Sequence, residues 1–139
     1  MTELHITEFY KDTAQVLLAL YQQFPRPVTL YVQDFAGPDT PDEFGLPSPR
    51  HLACLEAMVW LSHVGLIRYE SLVRQEAMDR AALTQRAFLA LTAPSLEAAQ
   101  DPDGAPSWSS ELRARVKAAN SLALDAGVRA FLEASRRYT

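Results

Sequence analysis

One histidine–cysteine pair has the spacing at which two side chains share a helix face. His51 and Cys54 are three residues apart in a segment predicted to be helical, and His63 follows about two to three turns later. A structural zinc site needs about four ligands, and a nucleophilic thiolate needs a base that a third group orients. The segment supplies neither set. We therefore expect Cys54 to be a small core residue, and we predict no metal site.

The rest of the chain contains none of the common catalytic or phosphate-binding motifs. A glycine-rich phosphate loop, the histidine pair of zinc proteases and the nucleophile elbow of hydrolases are all missing from the sequence. Asp101 and Asp103 lie in a proline- and glycine-containing stretch and are expected to be turn formers. A calcium loop needs more ligands and a closing glutamate. The sequence thus predicts no catalytic residue, no metal and no cofactor, and it gives no support to an enzyme.

Length and composition are typical of one globular domain. The chain has 139 residues, of which 48% are hydrophobic and 22% charged, which suffices for a core without disulfides. No window approaches the ~18 to 20 uncharged apolar residues of a membrane span. The N-terminus lacks the basic region and continuous apolar stretch of a secretory signal, and the single cysteine, Cys54, suits a reducing compartment. We expect a cytoplasmic protein that does not bind membranes.

The charge of the chain is unevenly distributed. The formal net charge of −4 weighs against a strong nucleic-acid binder, because phosphate contacts need clustered lysine and arginine. Residues 109–139 hold six basic and three acidic groups, a balance of +3, so the residues before them sum to −7. The basic surface is therefore expected at the C-terminal end.

The N-terminal part of the chain predicts one long helix. Apolar side chains recur at three- and four-residue spacing over residues 6–24. Thr7 is the expected cap at its start. Pro25 and Pro27 end the helix, because proline cannot continue the ladder of hydrogen bonds.

A short strand and a loop come next. Residues 28–32 are β-branched and aromatic and predict a strand. Residues 37–49 contain four prolines and two glycines and predict a loop. This loop holds a small acidic cluster formed by Asp39, Asp42 and Glu43.

Local signals mark a second helix and a hairpin in the middle of the chain. Ser48 is a good cap and Pro49 suits the first helical position, while Gly65 is expected to end the helix in a left-handed conformation. The alternating pattern of residues 66–72 predicts a strand, and residues 78–83 predict its return strand.

The C-terminal part is expected to be helical. Thr84 caps a short helix, which completes a domain over residues 1–93; a linker over 94–108 and a long helix over 109–139 follow. Gly127 is a candidate break in that helix, because the apolar stripe shifts near it.

The C-terminal helix has three interpretations. It is a dimerisation helix with Leu112, Val116 and Phe131 at the interface, a basic surface for nucleic acid or an acidic partner, or a cover for the core with a solvated basic face. The sequence favours the last of these, and it leaves the other two open.

The order of predicted elements resembles the winged helix-turn-helix superfamily, particularly bacterial transcriptional regulators. Residues 60–68 (WLSHVGLIR) resemble the end of a recognition helix that turns into the first wing strand, and residues 82–91 (ALTQRAFLAL) resemble the second wing strand and the helix after it. The likeness covers about residues 7–93 and implies a mainly α fold with a small β-hairpin, plus a C-terminal helical extension. Ala87 stands where those regulators often have glycine.

The resemblance also implies a DNA-binding surface. The helix that begins at Ser48 would enter the major groove, with Ser48, Arg50 and His51 near bases or phosphates, Arg74 at the wing, and Arg80 as a further contact. As an alternative, these are ordinary solvated surface residues. Residues 26–86 hold six arginines and eight acidic residues, a balance of −2, which is poor for phosphate binding.

Two functions from different classes follow. The first is a dimeric, DNA-binding bacterial transcriptional regulator. The second is an adaptor that uses the same fold to bind other proteins, for which an exposed Trp60 among small residues would be a suitable interface anchor. A Trp60 that packs under the first or last helix is the more ordinary alternative. A second copy of the chain, DNA and another protein all remain partners compatible with the sequence.

Overall fold

The computed structural model describes residues 4–95 and 106–138. Helices make up 61% of it, and a small antiparallel sheet accompanies them, so the predicted mainly helical class with a β-hairpin is confirmed. The helices are α1 (Leu4–Gln23), α2 (Gln33–Ala36), α3 (Pro49–His63), α4 (Gln85–Thr92), α5 (Trp108–Ala118) and α6 (Ser121–Ser135), with a 3₁₀ turn (Arg136–Tyr138) after α6. The strands are β1 (Val28–Tyr31), β2 (Ile67–Arg68), β3 (Ser71–Val73) and β4 (Ala77–Leu83).

Strand β4 is the centre of the sheet. Met78 of β4 lies opposite Leu30 of β1 and opposite Leu72 of β3, so β1 and β3 flank β4 on its two sides. Strand β2 pairs with the end of β4, with Ile67 opposite Leu83. The first hairpin strand expected over residues 66–72 is therefore two short strands, and the return strand forms as predicted.

Helix α1 lies across the core, and its start differs from the prediction. Thr7 is not a cap, because the helix already includes Leu4; instead the Thr7 hydroxyl donates to the Asp125 carboxylate of α6 at 3.3 Å. The helix ends at Gln23, two residues before Pro25, as the proline predicts. Thr7 thus links the N-terminal and C-terminal helices.

Helix α3 begins and ends at the residues expected from the sequence. The Ser48 hydroxyl accepts a hydrogen bond from the backbone N–H of His51 at 3.2 Å, and Pro49 occupies the first turn. Gly65 has a φ of +80°, and the N–H groups of Gly65 and Leu66 bond back to the last turn of the helix at 3.1 and 3.0 Å. This arrangement satisfies carbonyls that the helix end leaves open.

Thr84 begins α4 as predicted and also ties it to the end of α3. Its hydroxyl oxygen accepts from the backbone N–H of Ala87 at 3.2 Å. The same hydroxyl donates to the carbonyl of Gly65 at 2.7 Å. One side chain therefore joins the turn after α3 to the helix after the hairpin.

The prediction of one long C-terminal helix is wrong. The chain breaks after α5, where Ala119 adopts the left-handed conformation (φ +56°) and Asn120 caps α6 by accepting from the N–H of Ala123 at 3.2 Å. Gly127 is not the break. It lies inside α6 where a Cβ would come within 2.5 Å of the Arg115 side chain, so the glycine makes room for that arginine.

The interface prediction for two C-terminal residues is also wrong. Leu112 and Phe131 are fully buried within the chain, where the ring of Phe131 meets that of Trp108 edge-on at 5.8 Å between centroids. Val116 is partly buried and packs against the same core. The reason is that α5 and α6 fold back onto α1 and α4, so the side chains of Leu112 and Phe131 are buried by the chain itself. The C-terminal helices therefore share the core of the preceding elements.

The ends of the predicted linker lie next to each other. The N–H of Ser95 donates to the carbonyl of Pro106 at 3.0 Å, and the N–H of Trp108 donates to that of Ala93 at 2.9 Å. Asp101 and Asp103, expected to be turn formers, lie outside the described residues.

Candidate functional site

Arg50, a residue of the predicted DNA-binding set, is partly buried and pairs with acidic side chains of α1. Its two terminal nitrogens donate to the two carboxylate oxygens of Asp12 on α1 at 2.7 and 2.6 Å, and Glu8 lies 3.7 Å away. The Asp12 side chain is only 1% exposed. Hydrogen bonds to Asp12 raise the pKa of Arg50 above its ordinary value, which keeps the guanidinium charged. Arg50 therefore fixes α3 to α1 in a two-point ion pair.

His51 is also turned inward. The ring is buried, and its Nε2 lies 2.7 Å from the carbonyl oxygen of Gln75. Because a carbonyl only accepts, Nε2 carries the proton and donates to it. His51 thus ties the start of α3 to the tip of the hairpin.

The remaining predicted DNA contacts lie apart from one another. Arg74 is exposed at the hairpin tip, where Arg74 and Gln75 both have positive φ (52° and 61°). Arg80 is exposed on β4 and lies 3.3 Å from the Glu70 carboxylate. Ser48 uses its hydroxyl as the cap of α3. Of the predicted set, only Arg74 offers a positive charge for which the structure shows no acidic partner.

The opposite end of α3 presents an aromatic side chain at the surface. Trp60 is 38% exposed, and its ring meets that of Phe9 on α1 edge-on at 5.1 Å between centroids. Each interpretation of Trp60 therefore agrees with part of the structure. The side chain packs on the first helix, and one of its faces is exposed to solvent.

A groove of about 290 Å³ opens beside Trp60, between the end of α3 and the end of α6. We call it the Trp60 groove. Its apolar walls are Trp60, Val64, Leu66 and Leu132, and its charged rim is Arg129, Glu133 and Arg136. The floor includes Arg86 and Ser135. The groove could not be recognised in the sequence, because its two walls are separated by some seventy residues in the chain.

Arg86 holds the two sides of the Trp60 groove together. Its Nε donates to the carbonyl of Ser135 at 3.0 Å, at the end of α6, and its Nη1 donates to the carbonyl of Val64 at the end of α3. A cation at the carbonyl end of a helix is favourable because unpaired carbonyls and the helix dipole leave negative charge there. Arg86 stabilises two helix ends at once.

An ordered acidic turn lies before α3, and we call residues 39–46 the Phe44 loop. One carboxylate oxygen of Asp42 accepts from the N–H groups of Phe44 and Leu46 at 2.8 and 2.9 Å. The N–H of Asp42 donates in turn to the carbonyl of Leu46 at 3.0 Å. Phe44 stands out from this turn with 79% of its surface exposed. The acidic residues are evident in the sequence, whereas the exposure of Phe44 depends on the turn that Asp42 closes.

Asp39 anchors the Phe44 loop to α3. Its carboxylate accepts from the N–H of Ser48 at 3.0 Å. Hydrogen bonds from Ser48, first from its side chain and then from its backbone, hold the pKa of Asp39 below the ordinary value of 3.8, and His51 adds to this effect. The loop is thereby fixed to the start of the helix.

Cys54 lies in the core as predicted. It has no exposed surface, and burial, with Asp12 as the next cause, raises its pKa to about 12. A thiol in this state is protonated at neutral pH, whereas nucleophilic attack needs the thiolate. Within residues 4–95 and 106–138, no three histidine, cysteine or acidic side chains are grouped as a metal site. In the same ranges, no helix has the length and apolar character needed to cross a membrane.

Comparison with known proteins adds no relative: no family model, no curated protein and no solved structure matches the chain.

Proposed function

We propose that this chain is a protein-interaction adaptor built on a winged helix-turn-helix type of fold, and that the Trp60 groove is its binding surface. The observation that supports this most is the ion pair of Arg50 with Asp12. Arg50 is the only arginine or lysine of α3. A helix whose one permanent cation is held by a buried carboxylate has no positive side chain left for phosphates, on which DNA affinity largely depends.

The exposed residues of α3 point to the same function. Glu56, Trp60 and His63 face solvent, and the nearby Phe44 loop is acidic. The Phe44 loop would repel phosphates at the start of α3, whereas at its end a partner protein would find an aromatic anchor with a charged rim, the usual composition of a binding hot spot.

A DNA-binding transcriptional regulator is the second candidate, and one observation favours it. Arg74 is exposed at the tip of the hairpin, the position at which a wing would meet a DNA backbone. The basic residues of the C-terminal helices would add to such a surface if DNA ran along them.

Titration of fluorescent mixed-sequence duplex DNA with the protein tests the choice, from low to physiological salt. For an adaptor we expect no change in anisotropy even at low salt. Binding that weakens steeply with salt, and that Arg74→Gln reduces, would contradict the adaptor and support the regulator.

Selection of peptides from a display library on the immobilised protein tests the groove directly. We expect the selected peptides to have an aromatic anchor and acidic neighbours, and to lose about tenfold in affinity for Trp60→Ser, since aromatic anchors dominate such sites. Leu89→Ser is the matched control, because Leu89 is 39% exposed, as Trp60 is, but lies on α4. Peptides that bind Trp60→Ser as well as the wild type would contradict the proposed surface.

A further inference from the structure

The chain has two surfaces of opposite charge, each with an exposed aromatic residue. The Phe44 loop combines Asp42 and Glu43 with the protruding ring of Phe44. The Trp60 groove combines apolar walls with Arg129 and Arg136 at its rim, and Arg137 follows directly. The one acidic group of that rim, Glu133, pairs with Arg136 at 3.3 Å, so the net positive charge of the rim is that of Arg129.

Hydrogen bonds within the Phe44 loop close it into a turn. The two bonds to the Asp42 carboxylate and a bond from the N–H of Gly45 to the Asp42 carbonyl at 2.9 Å close the turn. A side chain presented on a closed turn loses little conformational entropy when it binds, so such a turn is a good ligand. No described aromatic ring contacts the ring of Phe44, so aromatic packing within the chain does not explain the position of this side chain.

The Trp60 groove is suited to receive an aromatic ring. An arriving Phe side chain would meet the exposed face of Trp60, and aromatic pairs attract each other beyond the effect of the area that they bury. Arg129 is exposed and has no bond partner among the described residues, so it is available to an acidic neighbour of that ring.

The two surfaces belong to opposite ends of α3. Asp39 fixes the Phe44 loop to Ser48 at the start of the helix, whereas Trp60 and Val64 lie at its end. A helix of 15 residues is about 22 Å long. The loop therefore does not reach the groove of its own chain.

We propose that the Phe44 loop of one copy docks into the Trp60 groove of a second copy, with the Phe44 ring against Trp60 and Glu43 beside Arg129. The proposal rests on the proposed function, because it assigns an occupant to the same groove. Each copy has one loop and one groove, so the contact is of the head-to-tail kind unless two copies exchange loops reciprocally. A loop in a small groove buries less than about 1,200 Å², which is the range of weak and transient interfaces.

Sedimentation equilibrium over rising protein concentration tests the proposal. The expected result for the wild type is an average mass that rises above the 15.5 kDa of one chain and falls back as salt is added, since salt screens the charged rim. Phe44→Ser should remove the association, and Arg129→Glu should weaken it about tenfold, because a rim attraction becomes a repulsion. Leu122→Ser is the matched control: Leu122 is 72% exposed but lies outside both surfaces.

Mixing the two variants identifies the contact. A Phe44→Ser copy keeps an intact groove and an Arg129→Glu copy keeps an intact loop, so the mixture should form a one-to-one complex with wild-type affinity. Combining Glu43→Arg with Arg129→Glu in one chain should restore association. A wild type that stays at the mass of one chain, or a Phe44→Ser variant that associates like the wild type, would overturn the proposal. Peptide selection on the groove then still decides the proposed function by itself.

Discussion

The two ends of α3 use their side chains in opposite ways. At its start, Arg50 and His51 turn inward, one to Asp12 on α1 and the other to the hairpin carbonyl of Gln75. At its end, Trp60 turns partly outward over a groove. Arginine and histidine suggest a surface for ligands and tryptophan suggests a core, yet here the charged end is structural and the aromatic end is accessible. Residue type alone therefore misassigns both ends, and the partners of each side chain decide its role.

Among the variants that test this comparison, removal of Arg50 is expected to have the largest effect on the free energy of unfolding. Arg50→Met leaves the Asp12 carboxylate buried without a counter-charge, and loss of one partner of a buried pair costs about 3 to 5 kcal/mol of unfolding free energy. Urea unfolding measures it. Arg74→Met is the control, because Arg74 is exposed and a surface change should stay within about 0.5 kcal/mol. Equal stability of the two variants would show that Arg50 is a surface residue after all.

Arg86 provides the corresponding test at the other end of α3. Arg86→Met removes charged hydrogen bonds to the carbonyls of Val64 and Ser135. We expect a loss of about 2 kcal/mol in urea unfolding, the usual value for bonds that involve a charged group. The same variant should weaken peptide binding, since Arg86 holds both walls of the Trp60 groove. Reduced stability with unchanged peptide affinity would show that Arg86 does not contribute to peptide binding by the Trp60 groove.

Local signals in the sequence were enough for the ends of α3 and the start of α4. Ser48, Gly65 and Thr84 act on neighbouring backbone groups, so their chemistry can be recognised without knowledge of the fold. The break between α5 and α6 has a weaker signal: Asn120 is a good cap, but Ala119 has the left-handed conformation that usually calls for glycine.

The contacts that define the candidate site depend on distant parts of the chain. Arg50 and Asp12 are 38 residues apart, and Arg86 and Ser135 are 49 apart. No periodic pattern in the sequence specifies such pairs. From the sequence alone, Arg50 cannot be distinguished from a surface arginine that binds phosphate. The acidic residues before α3 can be recognised in the sequence. The solvent exposure of Phe44, in contrast, follows only from the structure of the turn around Asp42.

Gly65 is a smaller test of how the end of α3 is held. Its φ of +80° is a conformation that costs an L-residue about 1 to 2 kcal/mol, so Gly65→Ala should lose about 1 kcal/mol in thermal or urea unfolding. The added Cβ would stand 3.4 Å from an Arg86 nitrogen, an ordinary contact, so sterics should add nothing more. Gly45→Ala is the control for conformation without helix capping, because Gly45 also has positive φ (77°) with open space around it and lies in the Phe44 loop. A loss far above that of the control would mean that Arg86 is displaced.

The smallest expected effect concerns pH and the link between the Phe44 loop and α3. Bonds from Ser48 hold the pKa of Asp39 below 3.8, so the folded state prefers the carboxylate more than the unfolded chain does. The resulting stability is present above the unfolded pKa and is lost as the pH falls through the lower, folded pKa. Wild type and Asp39→Asn should therefore differ in stability at neutral pH and converge in acid. The difference should be slight, since solvent screens a carboxylate near the surface. An NMR titration of the Asp39 carboxyl gives the pKa directly. A pKa at or above 3.8 would mean that the bond between Ser48 and Asp39 is not maintained in solution. The Phe44 loop would then not be fixed to α3, the helix that separates it from the Trp60 groove.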